Sequence, residues 1–419
     1  MVYIFKESDK KWETIQTIST AGSSDNVGSL QVDLENNILL ISATGTPLQP
    51  IPNETVNNQD FSGALLIYKL NRREGEGDQW WDLIQTLDRN THGLEDLTLS
   101  SAGALNPNQL PTLFQQGAYF GLQAKYNQEN RLLLVSAQYQ QNKDASGNPI
   151  INSGAVYAFR MNRERGKFEL IQKITNPDGP SSNDTFGANV RLHGNYALIS
   201  NSPVLIGPRT SSNGAVYLYH YENKQWNFIQ KLTGTQQAPT VVASTFGATT
   251  VGDGFGSSLA LNDHWAIVGA GFESKGSGLP LSGAVYFYKF KHKPIGKYLE
   301  FKQKAFSDDP TVQGTALLHV DLLNNVVLVS DPLRSGPNGK FQGGALLFER
   351  TKDEWKQKKV LYDPQGKPND FFGFSVALDR ESAVVGSSPF GVLPLTKYGN
   401  PLLTIPLPLN SSKVIFFRK

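Results

Sequence analysis

The stretch FGSSLALNDHWAIVGAGFESKGSGLPLSGAVYFY, residues 255–288, contains three predicted strands and their connections. It starts at an aromatic-Gly pair and continues with alternating apolar and polar residues, which is the period-two signal of a half-buried strand. After a short turn comes the continuous apolar run Ala266 to Ala270, which is typical of a strand buried on both faces. A long connection then leads to a third strand that begins at Gly283-Ala284. The stretch therefore predicts one unit of an antiparallel β-meander.

The same order of elements recurs along the chain, so an internal repeat decides the fold. A fourth strand with the pattern aromatic, two residues, apolar, Gln follows the Gly-Ala strand, as in Trp226 with Ile229-Gln230. The glycines of the aromatic-Gly elements, some of them eroded copies, lie at positions 28, 121, 187, 256, 314 and 373. Each interval holds four short strands and their turns. Radial repetition of four-stranded sheets is the propeller solution to exposed sheet edges.

We therefore predict an all-β fold: a single β-propeller domain of about six blades over residues 1–419, with four antiparallel strands per blade. Seven blades are the alternative. Degenerate Gly-Ala-type strands at both ends, Val2 to Phe5 and Lys413 to Phe417, raise the strand count to twenty-five, one more than six blades need. We expect Lys11 to Ile18 to complete the last blade, so that N- and C-terminal strands close the ring. Which degenerate strand is displaced stays open.

The order of Phe-Gly, Val-Gly-Ala, Gly-Ala-Val-Tyr and Trp-Gln strands is similar to the FG-GAP repeat of integrin α-subunit heads, over nearly the whole chain. The units at Phe186, Phe255 and Phe372 carry the resemblance best. It implies a propeller that displays binding loops, several of them calcium loops of the form Asp-x-Asp-x-Asp-Gly. This chain has no such loop, so we predict no metal site. Any calcium site would need backbone carbonyls and scattered acids such as Asp178, Asp184, Asp253 and Asp331.

The composition excludes several classes of protein. The chain has no cysteine, which excludes disulfides, thiolate metal sites and cysteine nucleophiles. Its 39 basic and 37 acidic residues nearly balance, and no basic stripe with stacking aromatics predicts nucleic-acid binding. No apolar window is long enough to predict membrane insertion. Residues 1–6 have the pattern of a strand and not of a signal peptide, so the compartment stays open, with a secreted or extracellular location favoured.

No catalytic motif stands out. The six histidines fall on different units without ligand spacing, and there is no nucleophile elbow, phosphate loop or dinucleotide fingerprint in a strand-to-helix context. Paired carboxylates for glycoside hydrolysis would come from different blades, so spacing cannot reveal them. The sequence therefore favours a non-catalytic module without cofactor and leaves an enzyme open.

Loop lengths indicate which end of the blades could bind a partner. Turns between first and second strands are tight, whereas the connections between second and third strands are long: 44–61, 138–152, 203–213, 271–282, 331–343 and 389–412. Long loops on a rigid scaffold are where function usually lies. They carry aromatic and cationic residues that form a candidate recognition surface: Tyr139, Arg209, Phe272, Lys275, Arg334, Lys340, Phe390 and Tyr398.

We expect a monomer that docks a protein partner through this surface. The alternative function is a carbohydrate-binding lectin or a glycan-acting enzyme, because propellers can present several similar shallow pockets between blades. Trp and Tyr near blade edges would then stack on sugar rings.

Overall fold

The structure is a computed structural model that describes residues 2–8, 11–18, 27–43, 62–72, 79–97, 117–201, 213–235, 240–244, 247–275, 282–293, 296–306, 319–380, 382–387 and 414–418. Every regular element within these ranges is a strand, so the all-β prediction is confirmed. The chain divides into two compact units, which we call unit one (Met1–Tyr196 with His220–Asn227) and unit two (Ala197–Tyr219 with Phe228–Lys419).

Unit one contains a hairpin, two four-stranded antiparallel sheets and a short ribbon. The hairpin pairs β1 (Val2–Ser8) with β2 (Lys11–Ile18). Sheet 1 has the order β3 (Val27–Glu35), β4 (Ile38–Ala43), β5 (Ala64–Arg72), β6 (Gln79–Leu87). Sheet 2 contains β7 (Ala124–Asn127), β8 (Leu132–Ala137), β11 (Ala155–Asn162) and β12 (Lys167–Ile174), and the ribbon of β9 (Asn142–Lys143) and β10 (Pro149–Ile150) lies in its β8–β11 connection.

Sheet 3 has the order β13 (Val190–His193), β14 (Tyr196–Ser200), β15 (Ala215–Glu222), β16 (Gln225–Thr233), and its residues are divided between the two units. Unit two continues with a ribbon of β17 (Thr240–Ser244) and β18 (Gly247–Val251). Sheet 4 follows with β19 (Phe255–Leu261), β20 (Trp265–Ala270), β21 (Ala284–Lys293) and β22 (Gly296–Phe306).

The last two sheets also belong to unit two. Sheet 5 has the order β23 (Val320–Leu323), β24 (Val326–Asp331), β25 (Gly344–Thr351), β26 (Glu354–Leu361). Among the described residues, sheet 6 contains three strands, β27 (Phe372–Leu378), β28 (Ser382–Ser387) and β29 (Val414–Arg418). Sheets 1 to 5 therefore repeat the predicted four-strand unit, with each strand hydrogen-bonded to its neighbour in the chain.

The strands at the two ends of the chain are both formed. Among the described strands, Lys11–Ile18 pairs with Val2–Ser8 in the hairpin. Val414–Arg418 is the third strand of sheet 6, where it pairs with β28. Both degenerate strands are therefore formed, each with its own partner. The predicted closure of a ring by the termini stays a prediction.

The two clearest sequence motifs contact each other in the structure. The Gly-Ala start of a third strand meets the aromatic-Gly pair of the next sheet. Gly154, which precedes β11 of sheet 2, forms an isolated parallel bridge with Phe186, which precedes β13 of sheet 3. The same bridge joins Gly63 to Phe120 and Gly343 to Phe372. Gly154 has φ +78, and a Cβ on it would lie 2.2 Å from the carbonyl oxygen of Phe186. Only glycine permits this approach of two backbones.

The pattern of the fourth strand also has a structural cause. In sheet 1 the bulge lies between Ile67 and Tyr68, whose partners are Gln85 and Leu83, so that Ile84 is the extra residue of β6. A bulge at the same step occurs in the hairpin and in sheets 2, 4 and 5. In the sequence pattern of the fourth strand, the apolar residue is thus the extra residue of the bulge, and the glutamine is the residue after it.

The glutamine after the bulge binds the outer strand of the next sheet. The side-chain Nε2 of Gln85 donates to the carbonyl of Phe168 at 3.0 Å, and its Oε1 accepts from the backbone N–H of Phe168 at 2.7 Å. We call this paired contact the glutamine clamp. It recurs in five pairs: Gln16–Trp81, Gln85–Phe168, Gln172–Trp226, Gln230–Leu299 and Gln303–Trp355.

The core lies on both faces of the sheets. Strands β4, β8 and β20 are buried at every residue, as their continuous apolar runs predict. Aromatic side chains fill the space between successive sheets within a unit. In unit two, Trp265 of sheet 4 and Trp355 of sheet 5 meet edge to face with ring centroids 5.4 Å apart.

Candidate functional site

The predicted recognition residues differ in exposure. Tyr139, Phe272 and Arg334 are buried, with relative exposures of 4%, 9% and 8%. The expectation that these three side chains lie on an exposed surface is therefore wrong. Lys275 and Lys340 are exposed, as expected. Three further residues lie outside the described ranges: Arg209, Phe390 and Tyr398. The binding role of the set stays a prediction.

The buried members of the set support their loops from inside. Tyr139 packs edge-on against Tyr119 with ring centroids 5.4 Å apart. The Nε of Arg334 donates to the hydroxyl of Tyr362 at 2.9 Å, and its Nη1 lies 3.5 Å from Oδ2 of Asp331. Sequence gives no signal for this difference, because an aromatic or Arg residue in a loop can cap the end of a sheet or face solvent.

The connection between β8 and β11, which we call loop 138–154, is fixed at its base by buried polar side chains. Gln140 is 1% exposed, and its Nε2 donates to the carbonyl of Asp96 at 2.8 Å. Asn142 donates from Nδ2 to Oγ of Ser153 at 2.9 Å and to the carbonyl of Gly154 at 2.7 Å. Since these donors and acceptors are satisfied in a buried setting, they fix the backbone that leads to the tip.

The tip of loop 138–154 is exposed and ordered by a local turn. Oδ1 of Asp144 accepts from the backbone N–H groups of Ser146 and Asn148, both at 2.8 Å. The hydrogen bond from the Asn148 side chain is the main cause that lowers the pKa of Asp144 below its usual value. Close to the base, the side chain of Ile151 is 48% exposed. The loop therefore presents an anionic tip and one apolar side chain to solvent.

The connection between β24 and β25, which we call loop 332–343, follows the same design. Gln342 is fully buried, donates from Nε2 to the carbonyl of Asp363 at 3.0 Å and accepts at Oε1 from the N–H of Asn338 at 3.0 Å. Asn338 and Lys340 are exposed. Both completely described loops between second and third strands thus combine a buried amide at the base with a polar, exposed tip.

A buried polar cluster lies beside the third strand of sheet 4. The hydroxyl of Tyr286 donates to Oε2 of Glu273 at 2.5 Å, and Nζ of Lys304 lies 2.8 Å from Oε1 of the same carboxylate. Glu273 is 2% exposed. Burial, together with the hydrogen bond to Glu273, raises the pKa of Tyr286, so the phenol stays protonated. The Lys304 charge compensates the buried carboxylate.

Sheet 2 has the same three-residue arrangement with a different carboxylate. Tyr157 donates to Oδ1 of Asp96 at 2.9 Å, and Nζ of Lys173 lies 2.5 Å from Oδ2 of Asp96. The Asp96 side chain is 51% exposed. Tyr157 with Lys173 and Tyr286 with Lys304 are equivalent cross-strand pairs. The repeat therefore specifies the Tyr–Lys pair, and each sheet receives its carboxylate from a connection, which sequence analysis did not identify.

The carboxyl group of Asp253 lies two residues before β19 of sheet 4. It is fully buried, and its Oδ1 accepts from the backbone N–H groups of Gly214 at 3.1 Å and Phe255 at 2.9 Å. Its Oδ2 has no hydrogen-bond partner among the described residues. Burial, with a contribution from the negative charge of Glu273, raises the pKa of Asp253 to about 6. The two hydrogen bonds of the Asp253 carboxylate hold the backbones of Gly214 and Phe255 close together. Because its pKa is raised, this carboxyl group changes charge under mildly acidic conditions.

Within the described ranges, no group of three or more histidine and carboxylate side chains is arranged to hold a metal ion. Asp253 takes part in backbone hydrogen bonds, and Asp331 lies next to Arg334. Oδ2 of Asp184 accepts from Nδ2 of Asn176 at 2.5 Å, and Oδ1 of Asn176 accepts from the N–H of Asp178. In the same part of the chain, no helix has the length and apolarity required to cross a membrane.

Repeated four-stranded antiparallel sheets with ordered loops define an all-β repeat protein. Residues 355–390, from β26 to the residues after β28, match the family model of the FG-GAP repeat. The resemblance that the sequence motifs indicate is confirmed on these residues. A search of curated proteins found no match to this chain.

Two solved structures are among those that a structural comparison found similar to this chain. A hypothetical selenium-binding protein from Sulfolobus tokodaii is 12% identical, with a TM-score of 0.45 over 86% of this chain and 73% of its own. A proposed 6-phosphogluconolactonase from Bacteroides fragilis is 10% identical, with a TM-score of 0.45 over 90% of this chain and 80% of its own. At these values neither protein bears on the ligand or activity of this chain.

Proposed function

We propose that this chain is a non-catalytic protein-binding module that docks its partner through the long loops between second and third strands. One observation carries the proposal: loops 138–154 and 332–343 have bases fixed by buried amides and tips that are open to solvent. A loop that is ordered before binding loses less conformational entropy when it binds. Exposed loops on a rigid scaffold are also the usual carriers of recognition.

The proposal includes the architecture on which the loops stand. We propose that sheets 1 to 6 are blades of a single propeller of about six blades. The repeated Gly–Phe bridges and glutamine clamps between successive sheets support this, because they join equivalent positions of neighbouring sheets. The resemblance to integrin α-subunit heads then extends to the function of the loops, since those propellers also display binding loops. A secreted location and a monomeric state stay predictions of the sequence.

The chemistry of the two tips favours a protein surface of mixed polarity. Loop 138–154 offers the exposed Ile151 beside an anionic turn, and loop 332–343 offers the exposed Lys340. An apolar anchor surrounded by polar groups is the usual composition of a protein interface. The five recognition residues in the described ranges thus divide into exposed contact residues and buried supports.

The test compares two variants of the full chain. The loop variant carries Ile151→Asp and Lys340→Glu. The control variant carries Arg163→Glu and Lys352→Glu, two exposed positions in turns between third and fourth strands. A partner is first identified by cross-linking and mass spectrometry with wild-type protein and then purified. We expect the loop variant to bind it at least tenfold more weakly and the control variant to bind it like wild type.

Equal affinity of both variants for the purified partner would reject this surface. A glycan array and an assay of reducing-sugar release run in parallel on the wild-type chain. Glycan binding that the loop variant retains would indicate a lectin, and sugar release would indicate an enzyme. Either result would replace the protein-docking function.

A further inference from the structure

A groove of about 420 Å³ lies in unit two between sheets 5 and 6. Its floor is apolar, with Leu347 and Leu361 from sheet 5 and Leu378 and Ala383 from sheet 6. It opens near the turns between first and second strands, at Asn324-Asn325 and at Asp379-Arg380. This is the opposite end of sheet 5 from loop 332–343, so the groove is separate from the loop surface proposed above.

In sheets 1, 2 and 5, a large side chain of the outer strand packs against residues of the preceding hairpin or sheet: Trp81, Phe168 and Trp355. The large side chains of all five outer strands are almost completely buried, at 6% exposure or less: Trp81, Phe168, Trp226, Leu299 and Trp355. Sheet 6 ends at β29 in the described part of the chain. The groove therefore occupies the place where an outer strand of sheet 6 would put its large side chain on the apolar floor.

The residue that would clamp such a strand is altered. In sheets 1 to 4, each clamp glutamine lies four residues after the large buried residue of its own strand, as Gln303 follows Leu299. In β26 this position, four residues after Trp355, is Lys359, which pairs with Leu347 beside the bulge. A lysine has three donors and no acceptor, so it cannot bind both groups of a backbone amide. Position 359 therefore retains a donor and adds a positive charge.

The rim of the groove carries more positive than negative charge. Lys358, Lys359 and Arg380 are exposed, and no side-chain hydrogen bond or ion pair joins them to another described residue. The acidic residues of the rim are Glu349 and Asp379. Three cations against two anions give a net charge of +1, and the cations are available to a ligand. Complementary charge favours an acidic partner.

We propose that this groove binds an extended acidic peptide segment of a partner protein, which adds as the fourth strand of sheet 6 to the edge of β29 that has no strand partner among the described residues. Main-chain hydrogen bonds to β29 would align the segment, as in other cases of strand addition. A large apolar side chain of the segment rests on Leu347, Leu361 and Leu378. Acidic side chains next to it meet Lys358, Lys359 and Arg380.

The test uses three synthetic probe peptides and the full-length chain. The acidic probe is EVEWEVE, its charge-reversed control is KVKWKVK, and EVEAEVE lacks the aromatic side chain. Affinity is measured by fluorescence anisotropy at two salt concentrations. Amide hydrogen exchange of residues 414–418 reports strand addition directly. We expect EVEWEVE to bind at least tenfold more tightly than either control peptide and to slow amide exchange in β29.

The variant for this test reverses the rim charge with Lys358→Glu, Lys359→Glu and Arg380→Glu. Its matched control is Arg163→Glu, an exposed cation in a turn of sheet 2. We expect the triple variant to prefer KVKWKVK and the control variant to bind like wild type, with both melting like wild type. A single variant, Lys359→Gln, restores the clamp residue and should keep peptide binding while weakening its salt dependence.

Three results would overturn the proposal. The first is equal affinity for the three peptides, and the second is a preference for EVEWEVE that survives rim-charge reversal. The third is the absence of binding together with slow exchange in β29 before any peptide is added. That result would mean that the edge is already paired, with Lys11–Ile18 of the chain or a second copy as the occupant.

Discussion

The side chain of Gln303 and the backbone of Trp355 are joined by two hydrogen bonds, of 2.7 Å from Nε2 to the carbonyl and 2.9 Å from the backbone N–H to Oε1. Trp355 is 1% exposed, so its backbone groups have little access to water. One side chain thus satisfies both the donor and the acceptor of a residue 52 positions away. The same clamp in four other pairs makes it a general device of the repeat.

Removal of this clamp should destabilise unit two. In Gln303→Ala the N–H and carbonyl of Trp355 lose their partners, and we expect the free energy of unfolding to fall by about 2–6 kcal/mol, since each of the two unsatisfied buried groups costs about 1–3 kcal/mol. Gln365→Ala is the control, because Gln365 is exposed and should change stability by less than about 0.5 kcal/mol. The measurement is a chemical-denaturation curve of each variant. Equal curves would show that the clamp adds no stability.

Two glycines with positive φ should respond differently to the same substitution. A Cβ on Gly154 would overlap the backbone of Phe186, whereas Gly147, with φ +85, has nothing within 4 Å of its Cβ. We expect Gly147→Ala to cost about 1–2 kcal/mol through its conformation alone. Gly154→Ala should cost about 3 kcal/mol or more, or prevent folding, because two backbones must separate. Melting temperatures report both, and similar values would contradict the steric argument.

Asp253 should make unit two more stable at mildly acidic pH. Its pKa in the folded chain is about 6, above its ordinary value of 3.8, so the folded state holds the proton more tightly. The stability contribution is present below about pH 4 and is lost as the pH rises to about 6, and it amounts to about 2–3 kcal/mol.

Asp253→Asn tests this pH dependence, since an amide keeps the acceptor for Gly214 and Phe255 but does not titrate. The difference in free energy of unfolding between wild type and this variant, measured by denaturation from pH 4 to 7, should change by about 2–3 kcal/mol. Asp144→Asn is the control, because the pKa of Asp144 is lowered below its ordinary value of 3.8 and its stability difference from wild type should therefore stay nearly constant from pH 4 to 7. A constant difference across the pH range for Asp253→Asn would contradict the raised pKa.

The two equivalent tyrosine–carboxylate pairs should differ in strength. Tyr286→Phe leaves the buried Glu273 without one of its partners, and we expect a loss of about 1–3 kcal/mol. Tyr157→Phe leaves Asp96, whose side chain is half exposed, so water replaces the lost bond and the loss should stay below about 1 kcal/mol. Each of the two variants is the control for the other, and denaturation curves give the loss of stability in each. A larger loss in Tyr157→Phe would contradict this assignment.

Chelation of calcium should leave stability unchanged. An ion that binds only the folded state raises the melting temperature by mass action. The chain has no alternating aspartate loop, so we expect the same melting temperature in excess EDTA and in millimolar calcium. A difference of more than about 4 °C, which is on the order of 1 kcal/mol or more for units of this size, would show that carbonyls and scattered acids form a site.

The sequence predicted the strands because their signals are local. Alternation in β19, the apolar run of β20 and the Gly-Ala start of β21 each depend on neighbouring residues, and the structure forms these strands in the predicted order. The resemblance to the FG-GAP repeat rests on the same local motifs, which is why it could be seen in a single sequence.

The candidate surface could be predicted only in part. Loop length identified the connections that elaborate one end of each sheet, but burial separated Arg334 inside the fold from Lys340 at the surface, six residues later. Burial depends on what the loop packs against, here Tyr362 and Asp331. No pattern within a loop contains that information.

The sequence by itself determined a chain of repeated antiparallel four-strand units, because strand period, turn chemistry and repeat spacing are properties of short segments. Only the tertiary structure decided what the repeated residues do. Gln85 meets Phe168 across 83 residues, and Gly63 meets Phe120, because the packing of successive sheets sets those distances. It likewise decided that Asp253 is buried and that Lys359 faces a groove, since both depend on atoms from distant segments.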